Sequence, residues 1–181
     1  MKPLTVLALA RLTVVLGVIL PAATFAQDGC DGFKWDNVAA ERALFATAAE
    51  DVRAGTDPGT APTIVPDRLY RAALSPQETL RYAAPPSKKM LADGASGGLL
   101  RFRVARAGLY RVALDAGFWI DVVADGTAIP SVDFGGSPGC AAPRKIVIYE
   151  LPAGRDLLLQ LTGAVSTQVQ VALTAAPDAS P

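Results

Sequence analysis

From residue 99 to residue 173, apolar side chains recur at every second position in short runs broken by glycine-centred turns. A period of two sends alternate side chains to opposite faces of an extended chain, so these runs belong in sheets with a buried face. In 99–105, Leu100, Phe102 and Val104 alternate with Leu99, Arg101 and Arg103; in 109–114, Tyr110, Val112 and Leu114 flank Arg111. Residues 118–123 follow a turn at Asp115, Ala116 and Gly117, and Asp125 with Gly126 is a strong two-residue hairpin signal. The stretch 144–151 is apolar on both faces at Ile146, Val147, Ile148 and Tyr149. Residues 155–162 point Leu157, Leu159 and Leu161 inward, and 166–174 point Val169, Val171 and Leu173 inward with Gln168 and Gln170 outward. Upstream, 68–74 is a strand and 79–83 a weaker one, while 85–98 and 134–143 read as Gly- and Pro-rich connections. So many short strands with tight turns predict a mainly β fold, a β-sandwich or jelly-roll, with a closed barrel as the other architecture.

The period differs nearer the start. Residues 37–53 follow helical spacing, with Val38, Phe45 and Val52 on one stripe, Asp36 placed to cap the first turn and Gly55 to stop the last. The expected organisation is a signal segment over 1–26 and an N-terminal segment with helix and loop over 27–66. A sandwich over 67–175 and a disordered tail over 176–181 complete it.

The signal reading rests on Lys2 and Arg11, an apolar run at 12–20, Pro21, and Thr24, Phe25 and Ala26 before polar Gln27. Small residues at the third and first positions before the cut suit signal peptidase, and the apolar core is short for a bilayer span. The chain is therefore expected to be exported, periplasmic or secreted, with no membrane span after cleavage. Gln27 and Asp28 sit where a lipoprotein signal wants small or aliphatic residues, which argues against lipidation of Cys30. Cys30 and Cys140 are the only cysteines, and in an oxidising compartment their simplest state is one disulfide tethering the N-terminal segment. Closing so long a loop would stabilise the fold by roughly 4–5 kcal/mol on a chain-entropy account.

Lysine plus arginine equal aspartate plus glutamate at 17 each, and loss of Lys2 and Arg11 leaves a slightly acidic chain. That balance argues against nucleic acid as the partner. Histidine is absent altogether. Its absence removes Ser-His-Asp and Cys-His nucleophile activation and all imidazole metal sites. What remains is carboxylate chemistry, a Ser-Lys pair or oxygen-ligand calcium. Ser87 and Lys88 lack the helical S-x-x-K spacing, and Asp28, Asp31, Asp125 and Asp133 lie near glycines without a calcium-loop spacing. No metal and no cofactor is implied.

Three constellations stand out. Arg101, Arg103 and Arg111 oppose the apolar sets of successive strands and would form an outward arginine ladder, with Asp121 pairing to Arg111; such a face suits an anionic ligand, or is an ordinary solvated surface of cross-strand ion pairs. Trp119 shares a strand face with Asp121, and Tyr149 lies in a later strand. An aromatic platform beside a carboxylate holds sugar rings in many sandwiches, the alternative being a Trp119 buried in the core or beneath the N-terminal helix. Asp121 and Glu150 are the weak nominees for an acid and base across a sheet, which requires a separation of roughly 5–9.5 Å.

The segments LLRFRVARAGLYRVAL, FWIDVVADG, RKIVIYELPAGRDLLLQLTGA and VQVAL, with Cys140 between, resemble the small secreted β-sandwich modules of the bacterial pre-peptidase C-terminal type. With CDGFKW and the Trp119 strand added, residues 30–173 also resemble a family of uncharacterised exported bacterial proteins, some carrying the name homogentisate 1,2-dioxygenase. That ring cleavage needs iron held by imidazole and carboxylate, which a chain without histidine cannot supply. Both resemblances imply a fold and no activity. The expectation is an exported, non-catalytic sandwich that binds an envelope protein or a glycan. The other readings are a carboxylate-dependent hydrolase on the same fold and a purely structural envelope component.

Overall fold

The computed structural model describes residues 32–35, 37–88, 94–140 and 142–177. Residues 1–26, Asp28, Cys30, Asp31, Asp36 and residues 178–181 lie outside that set, and with them the signal-peptide and capping expectations and all of the tail expectation but residues 176 and 177. The described residues form one short helix, α1 (Ala39–Phe45), and two sheets. One sheet has six strands in the order β1 (Glu50–Arg53), β2 (Leu69–Ala73), β11 (Gln168–Ala175), β5 (Gly108–Leu114), β9 (Lys145–Leu151) and β8 (Ser131–Gly136). The other has five: β3 (Ser75–Pro76), β4 (Ser96–Phe102), β10 (Leu157–Ala164), β6 (Trp119–Ala124) and β7 (Thr127–Ile129). This is a β-sandwich, and the barrel alternative gives way to two separate sheets.

The inward sets read from the alternation meet between the sheets. Leu100, Phe102, Val104, Tyr110, Val112, Leu114, Leu157, Leu159, Leu161, Val169, Val171 and Leu173 all lie in one buried cluster. The chain changes sheets at Leu74, between β2 and β3, and at Pro130, between β7 and β8. The β6–β7 hairpin turns at Asp125 and Gly126, both with positive φ (48° and 75°), the backbone a two-residue type I′ turn demands. A second, smaller core lies outside the six-stranded sheet, where Phe33, Val38, Ala113, Cys140 and Ile146 pack with Trp35 and Phe45. The inferred partner of Cys140, Cys30, lies outside the described residues.

Five expectations are corrected. The helix covers only 39–45; Thr47 closes its end through Leu44 O, and 50–53 pairs parallel with β2, because Val52 gains a place against the main core there. The weaker strand at 79–83 is a 3-10 turn (Gln77–Thr79) followed by irregular chain. The loop at 134–143 begins inside β8, whose Gly135 lies under the Trp35 ring where an added Cβ would stand 2.9 Å from the indole. At the C-terminal end, β11 continues to Ala175, and Ala176 N donates to Leu109 O at 2.8 Å. Residues 50–66 are also built into the sandwich: Gly55 pairs with Leu99, and Ile64 N donates to Arg101 O at 2.8 Å.

Candidate functional site

Alternate residues of β6 divide cleanly, with Ile120 and Val122 in the core and Trp119 and Asp121 on the outer face of the five-stranded sheet. The neighbouring strand places Gln160 opposite Asp121. Polar side chains here would be solvated on a bare sheet, but residues 83–88 run over them as a strap. Gln160, 0% exposed, holds that strap: its Oε1 accepts from Ala83 N (2.6 Å) and Ala84 N (3.0 Å), and its Nε2 donates to Ala84 O (3.2 Å). Asp121 holds its end. The carboxylate accepts from Ser87 N at 3.1 Å, from Ser87 Oγ, and from Trp119 Nε1 at 3.2 Å, while Trp119 Nε1 also donates to Ser87 Oγ at 2.9 Å.

At this end β6 has a strand neighbour on one side only, because β7 pairs no farther back than Val122. Its exposed carbonyls are met by side chains from the facing sheet. Lys145 Nζ donates to Phe118 O at 2.5 Å and Tyr149 Oη to Ile120 O at 3.0 Å. Both come from the inward register of β9, so unsatisfied carbonyls of one sheet are closed by donors of the other. The gap they span is a cavity of about 350 Å³, within the usual range for small-ligand sites. Its walls are largely apolar, from Ile129, Pro130, Val147 and Phe134, with Trp119, Asp121, Ser87, Lys145 and Tyr149 supplying the polar edge. Phe134, 66% exposed, stands at the rim. A register shift between Ser131 and Asp133 leaves Val132 as an extra residue, the kind of bulge that re-aims side chains at a sheet edge.

The electrostatics are unusual for a small surface. The ammonium groups of Lys88 and Lys145 each lie 5.3 Å from the centroid of the Trp119 ring. Burial pulls the Lys145 ammonium below the ordinary lysine range, nearby Lys88 pulls it further, and Asp121 partly opposes them. Burial also pushes the Tyr149 phenol up, with Asp121 adding to the rise, so Tyr149 is a neutral donor at any physiological pH.

The sequence candidates are redistributed. Trp119 and Asp121 do share a face, and α1 does not cover it, because the helix lies on the other sheet. The arginine ladder does not form: β4 and β5 are successive in sequence but belong to different sheets. Arg101 and Arg103 meet Asp156, whereas Arg111 is buried under α1 beside Glu41 (3.4 Å) and donates to Asn37 O (2.5 Å), away from Asp121. Asp121 and Glu150 point from opposite outer faces of the sandwich, since Ile120 and Val122 of β6 and Tyr149 and Leu151 of β9 fill the core between. Glu150 is exposed and no part of the cavity, so the nominated acid–base pair has no shared cleft. Ser87 Oγ bonds Asp121, and the Lys88 ammonium lies over Trp119, so the pair has the arrangement of a clasp and not of a nucleophile and base. Asp125 pairs with Arg155, and Asp133 with Lys34 and Trp35; among the described residues no three acidic, Cys or His side chains gather for a metal.

Lys145 and Phe134 escaped sequence reasoning. A signal for Lys145 existed: it shares the period-two register of Val147, Tyr149 and Leu151, and a lysine in an inward register is anomalous. Phe134 gave none, sitting in what reads as a Gly-Pro loop. No protein-family model matches this chain, and no curated protein is significantly similar to it. The resemblances drawn above rest on the residues quoted for them.

Proposed function

We propose that this is an exported, non-catalytic β-sandwich that binds a glycan in the cavity between β6 and β9. The observation that carries the reading is the cavity itself: an apolar wall, an indole at its edge and a carboxylate with a hydroxyl beside it. Apolar CH faces of a sugar pack on such a wall while its hydroxyls meet Asp121 and Ser87. The Lys88 ammonium over the indole is a weak obstacle, since a surface cation–π contact is worth about 0.5–1 kcal/mol. Export and a disulfide between Cys30 and Cys140 belong to the same proposal, supported by the leader composition and the cysteine count.

A glycan array probed with purified, oxidised protein tests it, with Trp119→Ala beside the parent. Binding by the parent alone, with matching thermal unfolding of the two proteins, is the expected result. An array with no signal overturns the reading and leaves an envelope-protein partner or a structural role.

A further inference from the structure

Lys145 is the one lysine or arginine among the cavity-lining residues, and it comes from the inward register of its strand. One of its three protons goes to Phe118 O. Neither Lys145 nor Lys88 forms an ion pair among the described residues. Arg111, the buried cation under α1, is treated differently, since it lies against Glu41. A cavity ammonium with protons to spare, repelled by a second ammonium at the mouth and with no carboxylate at ion-pair distance among the described residues, is an arrangement an incoming anion would relieve. Asp121, the carboxylate on hand, attracts the ammonium without pairing to it, its oxygens being bonded to Ser87 and Trp119.

Building on the glycan reading above, we infer that the bound saccharide is acidic, its carboxylate resting on Lys145 inside the cavity while Lys88 adds positive potential at the rim. The charge count selects a carboxylate over a phosphate. Lys145 and Lys88 together outweigh the Asp121 carboxylate by one positive charge, which a single negative charge balances and a dianion would exceed. Lysine acts as a point charge and sets no bidentate geometry, so a carboxylate on a ring held by apolar contacts is accommodated without a matching fork. Because burial and Lys88 disfavour the charged amine, the acid would draw a proton to Lys145 when it binds near or above that amine's titration range.

The test compares trigalacturonate with its methyl ester, which keeps the rings and removes the charge, by calorimetry and Trp fluorescence at low salt. The acid should bind about tenfold or more tighter than the ester, as a charge-assisted hydrogen bond implies. Lys145→Met should erase that ratio and Lys88→Met reduce it, while added salt shrinks it in the parent. The two-ligand comparison on the parent stands even if Lys145→Met fails to fold. Equal binding of acid and ester overturns the acidic subsite and leaves glycan binding intact. Acetate competing as well as trigalacturonate also overturns it, since the site would then hold any small anion. If neither ligand binds but the array finds a neutral glycan, the acidic subsite falls alone; a silent array removes both readings.

Discussion

Glu41 of α1 and Arg111 of β5 are buried between the helix and the outer face of the six-stranded sheet; beneath the strap at 83–88, Asp121 and Gln160 are buried on the outer face of the five-stranded one. Both faces hide polar groups under a short covering segment. The first is closed by opposite charge: Glu41 accepts from Thr174 Oγ1 at 2.7 Å and lies 3.4 Å from Arg111, whose guanidinium also faces the Trp35 ring at 5.4 Å. The second is closed by hydrogen bonds to the strap backbone and to the Ser87 and Trp119 side chains, and beside it Lys88 and Lys145 form no ion pair among the described residues. A closed pair fixes a helix in place, while an unmatched cation at a cavity invites a ligand. The proposed binding role of the second face rests on that contrast.

The largest effect should come from breaking the closed face. Glu41→Ala leaves Arg111 buried without its carboxylate, an uncompensated charge that costs about 3–5 kcal/mol. Denaturant unfolding measures it, and Glu41→Leu combined with Arg111→Met should recover most of the loss, because the pair is then replaced by apolar packing. A loss below about 1 kcal/mol for Glu41→Ala would mean the pair is effectively solvated, and the contrast between faces would fail.

A smaller effect is expected on the strap. Gln160→Ala strips partners from two backbone amides and a carbonyl, and burial of unsatisfied groups costs about 1–3 kcal/mol. Hydrogen exchange should then accelerate at Ala83 and Ala84 first, with the core strands following only in proportion to global stability. Uniform acceleration would show that the strap has no separate opening and that the two covers behave alike.

What was legible in the sequence follows from what a period of two encodes. It gives the face of each residue, so Phe102, Leu159 and Val171 were placed in the core and Trp119 and Asp121 together. It does not give the neighbour. Residues 103–107 join β4 to β5 across the sandwich, and an arch between sheets leaves the same alternation as a hairpin within one; the arginine ladder failed for that reason. The strap was invisible because its order comes from Gln160 and Asp121, distant in sequence and on other strands. Strand β8 hid behind its glycines, since Gly135 is selected by the Trp35 ring and not by strand propensity. Most of the fold was readable, then, but only the Trp119 and Asp121 corner of the site.

The smallest and most specific effect concerns Lys145, whose titration separates the two faces without breaking either. Its ammonium is held below the ordinary lysine range in the folded protein, by burial first and Lys88 second, with Asp121 opposing. Asp121, Tyr149 and Lys88 are the titratable groups around it. Between that lowered value and the ordinary lysine value of 10.5, the unfolded chain carries a proton on this lysine that the folded chain has released. Stability therefore rises with pH through that window as far as Lys145 is concerned, and the penalty for the buried charge is present in full below it. Tyr149 acts in the opposite sense once the unfolded phenol ionises, since its folded form is the harder to deprotonate. The clean observable is the difference between the parent and Lys145→Met in urea midpoint, followed from neutral pH to just below the ordinary tyrosine range. That difference should move in favour of the parent as pH rises. A flat difference would mean that the Lys145 amine is solvated in the free protein, and the charge contrast between the two faces would then rest on Arg111 alone.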